Sequence, residues 1–225
     1  MSKEIQITQK DTKISGAIPG FSPEQVAIIK NTVAKGVTDT ELAYFLMLAQ
    51  SVHLNPFKKE IWCYKDNKGN VIIFAGRDGF LTAAQKSPAF NGLRSAFVCE
   101  KDDFKLDIPN NKIEHSFGAG QRGKIIGAYA IAFRKDGEPT IEWADFETFN
   151  KGYNAWKSHP GEMIQKVAES KALKKAFGLA GFEMEETYDF QRETFNNNHA
   201  HLAEPIRQDA SDKIRERAMK NGATV

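Results

Sequence analysis

Six lysines fall between Lys151 and Lys175, opposed only by Glu162 and Glu169. Ammonium groups clustered on one element neutralise phosphates, so the first chemistry this sequence offers is the binding of a polyanion. Four of the six, Lys166, Lys171, Lys174 and Lys175, share one element, a helix that Pro160 starts and that runs to Phe177 with Gly178 as its exit. At 100° per residue, Met163, Ile164 and Val167 share one arc, and Lys171, Lys174 and Lys175 continue that arc with no acid on it. Leu173, Ala176 and Phe177 fall on another side, so the apolar face rotates halfway along the helix. A solvated helix face, the commoner origin of a lysine run, stands beside the polyanion reading.

The second candidate is the loop Gly118-Ala119-Gly120-Gln121-Arg122-Gly123-Lys124, which satisfies G-x-G-x-x-G and most of the phosphate-loop pattern G-x-x-x-x-G-K. Taken literally it predicts a nucleotide-dependent enzyme. A phosphate loop, however, needs Ser or Thr next to hold magnesium, and Ile125 stands there; it must also open a helix whose N-terminus faces the phosphates. The β-branched and aromatic residues Ile125, Ile126, Tyr129, Ile131 and Phe133 favour a strand instead. The segment therefore reads as a loop between strands, on which Arg122 and Lys124 could touch phosphate. His53, His115, His159, His199 and His201 show no metal-ligand spacing on a recognised element, and Glu60, Asp66 and Asp78 form no pattern specific to a two-metal nuclease. The expectation is a protein that is not an enzyme and needs no cofactor or metal.

A chain of 225 residues can bury one sizeable core. The 31 basic and 29 acidic residues nearly cancel, so affinity for nucleic acid must come from local clustering. The sign changes near residue 182: from Glu183 to Glu204 six acids face only Arg192. Cys63 and Cys99 lack C-x-x-C spacing, which argues against a disulfide framework or structural zinc and for a reducing cytoplasm. No uncharged run approaches a membrane span, and the first ten residues carry no apolar signal region.

The elements that position these groups can be read in order. Residues 1–20 read as a flexible polar arm. Ser22, Pro23 and Gln25 form a capping box for a helix ending by Gly36, and Thr38 with Glu41 repeats the signal for a buried helix through Leu42, Phe45, Leu46 and Ala49 that stops before Pro56. KKEIWCYK and NVIIFAG around DNKG predict a hairpin, and RDGFLTAAQK a short helix. LRSAFVCE, DFKLDIP, NKIEHSF and KIIGAYAIAFRK predict further strands, and TIEWADFETFNK a strand passing into a helix. The result is an α+β core over 21–182, a mainly antiparallel sheet flanked by helices. Residues 183–225 read as an acidic, polar linker ending in a short charged helix near Asp209 to Lys220.

Four blocks, LNPFKKEIWCY at 54–64, GRDGF at 76–80, W-x-SHP-x-x-M at 156–163 and AxxxAFGxAG at 172–181, together resemble the Redβ/RecT family of phage recombinases, nearest to its Bet branch. Order and spacing match over roughly Phe21 to Phe182. The resemblance implies an ATP-independent single-strand annealing protein in phage-type homologous recombination. It further implies rings or helical filaments, action beside a phage exonuclease, and a fold like the core of the eukaryotic annealing protein of double-strand-break repair. The family often carries a larger C-terminal module for the exonuclease and the host single-strand-binding protein, where about forty residues remain here.

Carried over by position, Lys59 occupies the basic site before the first strand, and Lys174 the basic site on the long helix. Lys58 and Arg77, inside the first two blocks, are expected at the DNA as well. Where the best-known phage member has lysine after SHP, this chain has Gly161, and a second basic site is Val167, which shifts the expected contacts to Lys157, Lys166 and Lys171, with Lys175 beside them. Trp62, Tyr64, Phe80, Tyr153 and Trp156 are candidates for base stacking or subunit contact, against core burial as the ordinary fate of an aromatic. A strand-coating protein without annealing activity is the alternative.

Overall fold

The computed structural model describes residues 20–66 and 68–188. The expected N-terminal arm, apart from Gly20, and the expected C-terminal helix lie outside them, as do His199 and His201.

Local signals in the sequence translate directly into local structure. Helix α1, Pro23–Thr32, and helix α2, Asp39–Ser51, both begin in complete capping boxes: Ser22 with Gln25, and Thr38 with Glu41. Each box satisfies two backbone N–H groups that have no partner inside the helix. A single 3-10 turn, Pro56–Lys58, then leads into the hairpin of β1 (Trp62–Lys65) and β2 (Val71–Ala75), in antiparallel register with Trp62 opposite Phe74. Helix α3, Arg77–Gln85, follows at once. Its Gly79, from the GRDGF block, is obligatory, because a Cβ there would lie 2.2 Å from the carbonyl oxygen of Glu60.

Strands β3 (Phe90–Cys99), β6 (Ile125–Arg134) and β7 (Thr140–Asp145) form an antiparallel sheet in the order β3-β6-β7, while β4 (Asp103–Asp107) and β5 (Lys112–Ser116) make a separate hairpin. Two short helices, α4 (Phe146–Phe149) and α5 (Ala155–Ser158), precede α6, Pro160–Phe177, which ends at Gly178 in the left-handed conformation. Strand β8, Glu183–Met184, then pairs in parallel with β2, and a 3-10 turn covers Glu185–Thr187. The described chain is thus α+β with six α-helices and small, mostly antiparallel sheets. The expected single sheet is divided into three. Helix α6 packs against β3, β6 and β7 and also against α3 and the 185–187 turn, so the two three-stranded sheets are joined through a helix and not by strand pairing. Strand β8 and the 185–187 turn belong to the same compact unit as the preceding described elements.

Aromatic contacts fasten the β4–β5 hairpin to the main sheet. Phe104 stacks on Tyr129 at 5.8 Å and on Trp143 at 5.3 Å between ring centroids, two residues that face each other across β6 and β7. Beside this cluster the side chain of Asp102 is fully buried. It accepts from Arg122 Nε at 2.9 Å and Nη2 at 2.6 Å, from the backbone N–H of Cys99 at 2.7 Å, and lies 3.1 Å from His115 Nε2. Arg122 also donates to the carbonyl of Phe97 and lies over the rings of Phe117 and Phe97, 3.7 and 4.6 Å from their centroids. The glycine-rich segment is a loop between strands, as its composition suggests. Arg122 is its anchor and not a free phosphate contact, because a buried carboxylate without a cation would cost far more than the exposed contact would gain.

Hydrogen bonds from Arg122 hold the Asp102 carboxyl well below the usual carboxylate range, against the upward push of burial. A lowered folded pKa stabilises above the unfolded value of about 3.9 and loses that contribution as pH falls below it. Asp102→Asn should therefore lower stability by about 3 kcal/mol at neutral pH, since it strands the Arg122 charge. Urea unfolding of the two proteins should converge as pH is lowered from 5 toward 2.

Candidate nucleic-acid interface

Lys59 ends the Pro56–Lys58 turn in the left-handed conformation, with φ of 57°. Asn55 builds the turn: its side chain accepts from Phe57 N at 2.9 Å, and its own N–H donates to Glu60 at 2.8 Å. Both Lys58 and Lys59 are exposed, Lys58 with Glu60 at 4.0 Å. Lys59 borders a cleft of about 520 Å³ that is also lined by Thr32, Lys35, Trp62, Tyr64 and Glu185. A backbone bond from Cys63 N to Val33 O, 2.9 Å, ties β1 to the end of α1 and so brings Lys35 to this cleft. Nothing in the sequence pattern marked Lys35, which sits between two capped helices. Trp62 stacks on Phe74 with ring centroids 4.7 Å apart, and Tyr64 lies 6.4 Å from the same ring. Cys63 faces inward, and burial pushes its thiol up to about 12, with the Glu41 charge adding to the rise. It is no nucleophile at neutral pH.

Glu185 links this cleft to a second basic group. Its carboxylate accepts from the Trp62 indole N–H at 3.3 Å and lies against Gly76, where a Cβ would stand 3.2 Å from Oε2. Next to it, buried Glu186 accepts from the backbone N–H of Arg77 at 2.6 Å, supplying from 109 residues away the cap that Gly76 cannot give α3. Burial raises the Glu186 carboxyl, opposed by its backbone hydrogen bonds and by the charge of Lys166. The Arg77 guanidinium turns toward α6, where its Nε lies 3.3 Å from Glu169, without the alignment of a hydrogen bond. Lys174 reaches the carbonyl of Phe182 at 3.4 Å. Lys59, Arg77 and Lys174 therefore all border the segment from Phe182 to Glu186.

The rest of the lysine stripe turns elsewhere. Lys171 donates to Trp143 O at 2.6 Å, pairs with Glu142 at 3.2 Å and lies 5.9 Å from the Phe149 ring centroid, while Lys175 pairs with Glu142 at 2.8 Å. Glu142 is partly buried, which pushes its carboxyl up, but hydrogen bonds from Lys175 and Lys171 outweigh this and leave it below the usual range. The acid missing from that arc of the helix is supplied by β7. Lys124 and Lys157 are exposed, and their ammonium groups have no partner among the described residues. Gly161 packs so closely on Phe97 that a Cβ would stand 3.0 Å from the ring, so the start of α6 and the Arg122 loop meet over one side chain.

The aromatic candidates divide in the same way. Phe80 is fully buried against Phe182, and Trp156 is 4% exposed with Phe146 near its ring, so both serve the core and offer no face to a base. Trp62, Tyr64 and Tyr153 keep part of their surface.

A model of the RecT family matches residues 19–198. Recombination protein bet of Escherichia phage lambda is 25% identical over 171 residues, covering 70% of this chain and 55% of that protein. The chain thus spans about half the length of this curated relative. With the match extending across the hairpin, the long helix and every basic group described above, the chain belongs to the RecT family.

Proposed function

We propose that this protein binds single-stranded DNA and anneals complementary strands in phage-type recombination, without nucleotide hydrolysis and as a homo-oligomer. The observation that carries the reading is the cleft lined by Lys35, Lys59, Trp62 and Tyr64 together with Glu185, whose chain segment also meets Lys174 at Phe182 and Arg77 at Glu186. Ammonium and guanidinium groups neutralise one backbone and release its counterions, and aromatic faces hold bases without reading them. A second strand then pairs by complementarity, and the duplex itself supplies the driving force. Family membership supports a role in recombination, and Ile28, Tyr44 and Met47, exposed on α1 and α2, support a subunit contact. The partners that fit this role are a phage exonuclease and the host single-strand-binding protein. Among the described residues no helix is long and apolar enough to cross a membrane.

Mixing two complementary labelled strands with the protein, with and without ATP, tests the reading. Pairing should accelerate equally in both, and no phosphate should be released. Binding without acceleration would leave a strand-coating protein, and turnover that vanishes in Lys124→Ala would revive the nucleotide loop.

Binding should weaken steeply with salt, with a log–log slope of about −0.7 for each phosphate neutralised. Lys59→Gln with Lys166→Gln should flatten that slope by about one to two contacts and leave thermal stability unchanged. Lys171→Gln with Lys175→Gln should do the reverse, costing about 1–2 kcal/mol because Glu142 and the Trp143 carbonyl lose their donors, with a smaller change in slope. Filter binding and calorimetry on the two double variants decide the assignment.

A further inference from the structure

We infer that Glu185 is an internal competitor for a DNA phosphate, a carboxylate held in the basic cleft that an incoming strand must displace. The inference rests on the DNA-binding reading above and adds a control to it.

Three observations carry it. Glu185 lines the same cleft as Lys35 and Lys59, so its charge sits where two cations would meet a phosphodiester. Its carboxylate also engages Trp62, an aromatic lining of that cleft, through the indole N–H at 3.3 Å. A carboxylate and a phosphodiester are both single anions that accept from the same donors, so the two exclude each other there.

The third observation concerns what can move. The backbone on either side of Glu185 is fixed: β8 pairs with β2, placing Phe74 opposite Glu183 and Ala75 opposite Met184, and buried Glu186 caps α3. Glu185 itself is exposed and forms no ion pair among the described residues. Only its side chain needs to swing for the cleft to open. The adjacent Glu186 is a structural group and Glu185 a displaceable one, although they are neighbours of the same residue type. A strand held against such a competitor is released more readily, which suits a protein whose product is a duplex.

The test compares Glu185→Gln, which keeps an acceptor for Trp62 and removes the charge, with Glu138→Gln, the same charge change in the turn between β6 and β7. Kd for a fluorescent oligothymidine is measured for the full chain at fixed low salt. Glu185→Gln should bind roughly fivefold tighter, the size of one like-charge contact across about 4 Å of water. Glu138→Gln should match wild type, and Glu185→Lys should exceed Glu185→Gln. Equal affinity in wild type and Glu185→Gln overturns the competitor while leaving DNA binding intact. Equal tightening in Glu138→Gln reduces the effect to net charge and overturns it too. Weaker binding by Glu185→Gln at unchanged melting temperature makes the carboxylate part of the binding site and overturns the inference. No binding by any of the four proteins removes the DNA-binding reading and the inference with it.

Discussion

Helix α6 is buried on most of its circumference, and that single constraint organises the polar chemistry of the whole protein. Gly161, Ile164, Val167, Ala168, Ala172, Leu173 and Ala176 are buried together with Glu169 and Ser170, so the helix has no continuous wet side. A polar group in such a position must find a partner inside the protein. Glu169 takes Ser95 and the Arg77 guanidinium, Ser170 lies 3.5 Å from Glu186, Lys171 takes Trp143 and Glu142, and Lys174 takes the Phe182 carbonyl. These partners lie on β3, α3, β7 and the segment from Phe182 to Glu186, and the helix thereby joins two sheets that share no strand pairing.

The same constraint explains why basic residues close in sequence do different work. Lys171 and Lys175 are drawn to β7, where they share the one Glu142 carboxylate, whereas Lys174 reaches the segment that ends in Glu185 and Glu186. The basic groups toward Lys59 and Trp62 come from the loop between α1 and α2, the turn before β1, α3 and α6, which are far apart in the chain. Acids are built into the same surface as well. A nearly balanced chain can bind a polyanion through such a surface without the indiscriminate binding that a large positive net charge brings.

The Asp102 cluster shows a comparable division. Arg122 resembles a phosphate ligand when read in a glycine-rich loop, because glycine permits the backbone to approach an anion. In the folded chain its anion is the buried carboxylate of Asp102, twenty residues earlier, and its planar group also stacks on Phe117 and Phe97. Lys124, two residues further on, remains exposed. Residue type and loop composition could not separate these two cations, since the difference lies in which of them reaches the core.

By itself the sequence determined what depends on short-range geometry. The capping boxes at Ser22 and Thr38, the β1–β2 hairpin, the strand after Lys124 and the limits of α6 from Pro160 to Gly178 all follow from backbone donors satisfied within a few residues and from φ preferences of proline and glycine. The four family blocks were legible for the same reason, as local patterns in register, and they pointed to the family that the comparison shows. Tertiary structure alone decided which charges survive at the surface. Glu142 lies about thirty residues from the lysines it neutralises, Glu186 caps a helix 109 residues away, and Lys35 reaches Lys59 through the Cys63 to Val33 hydrogen bond. A charge is cancelled by whatever lies within a few ångströms of it, and distance along the chain carries no information about that until the core has closed.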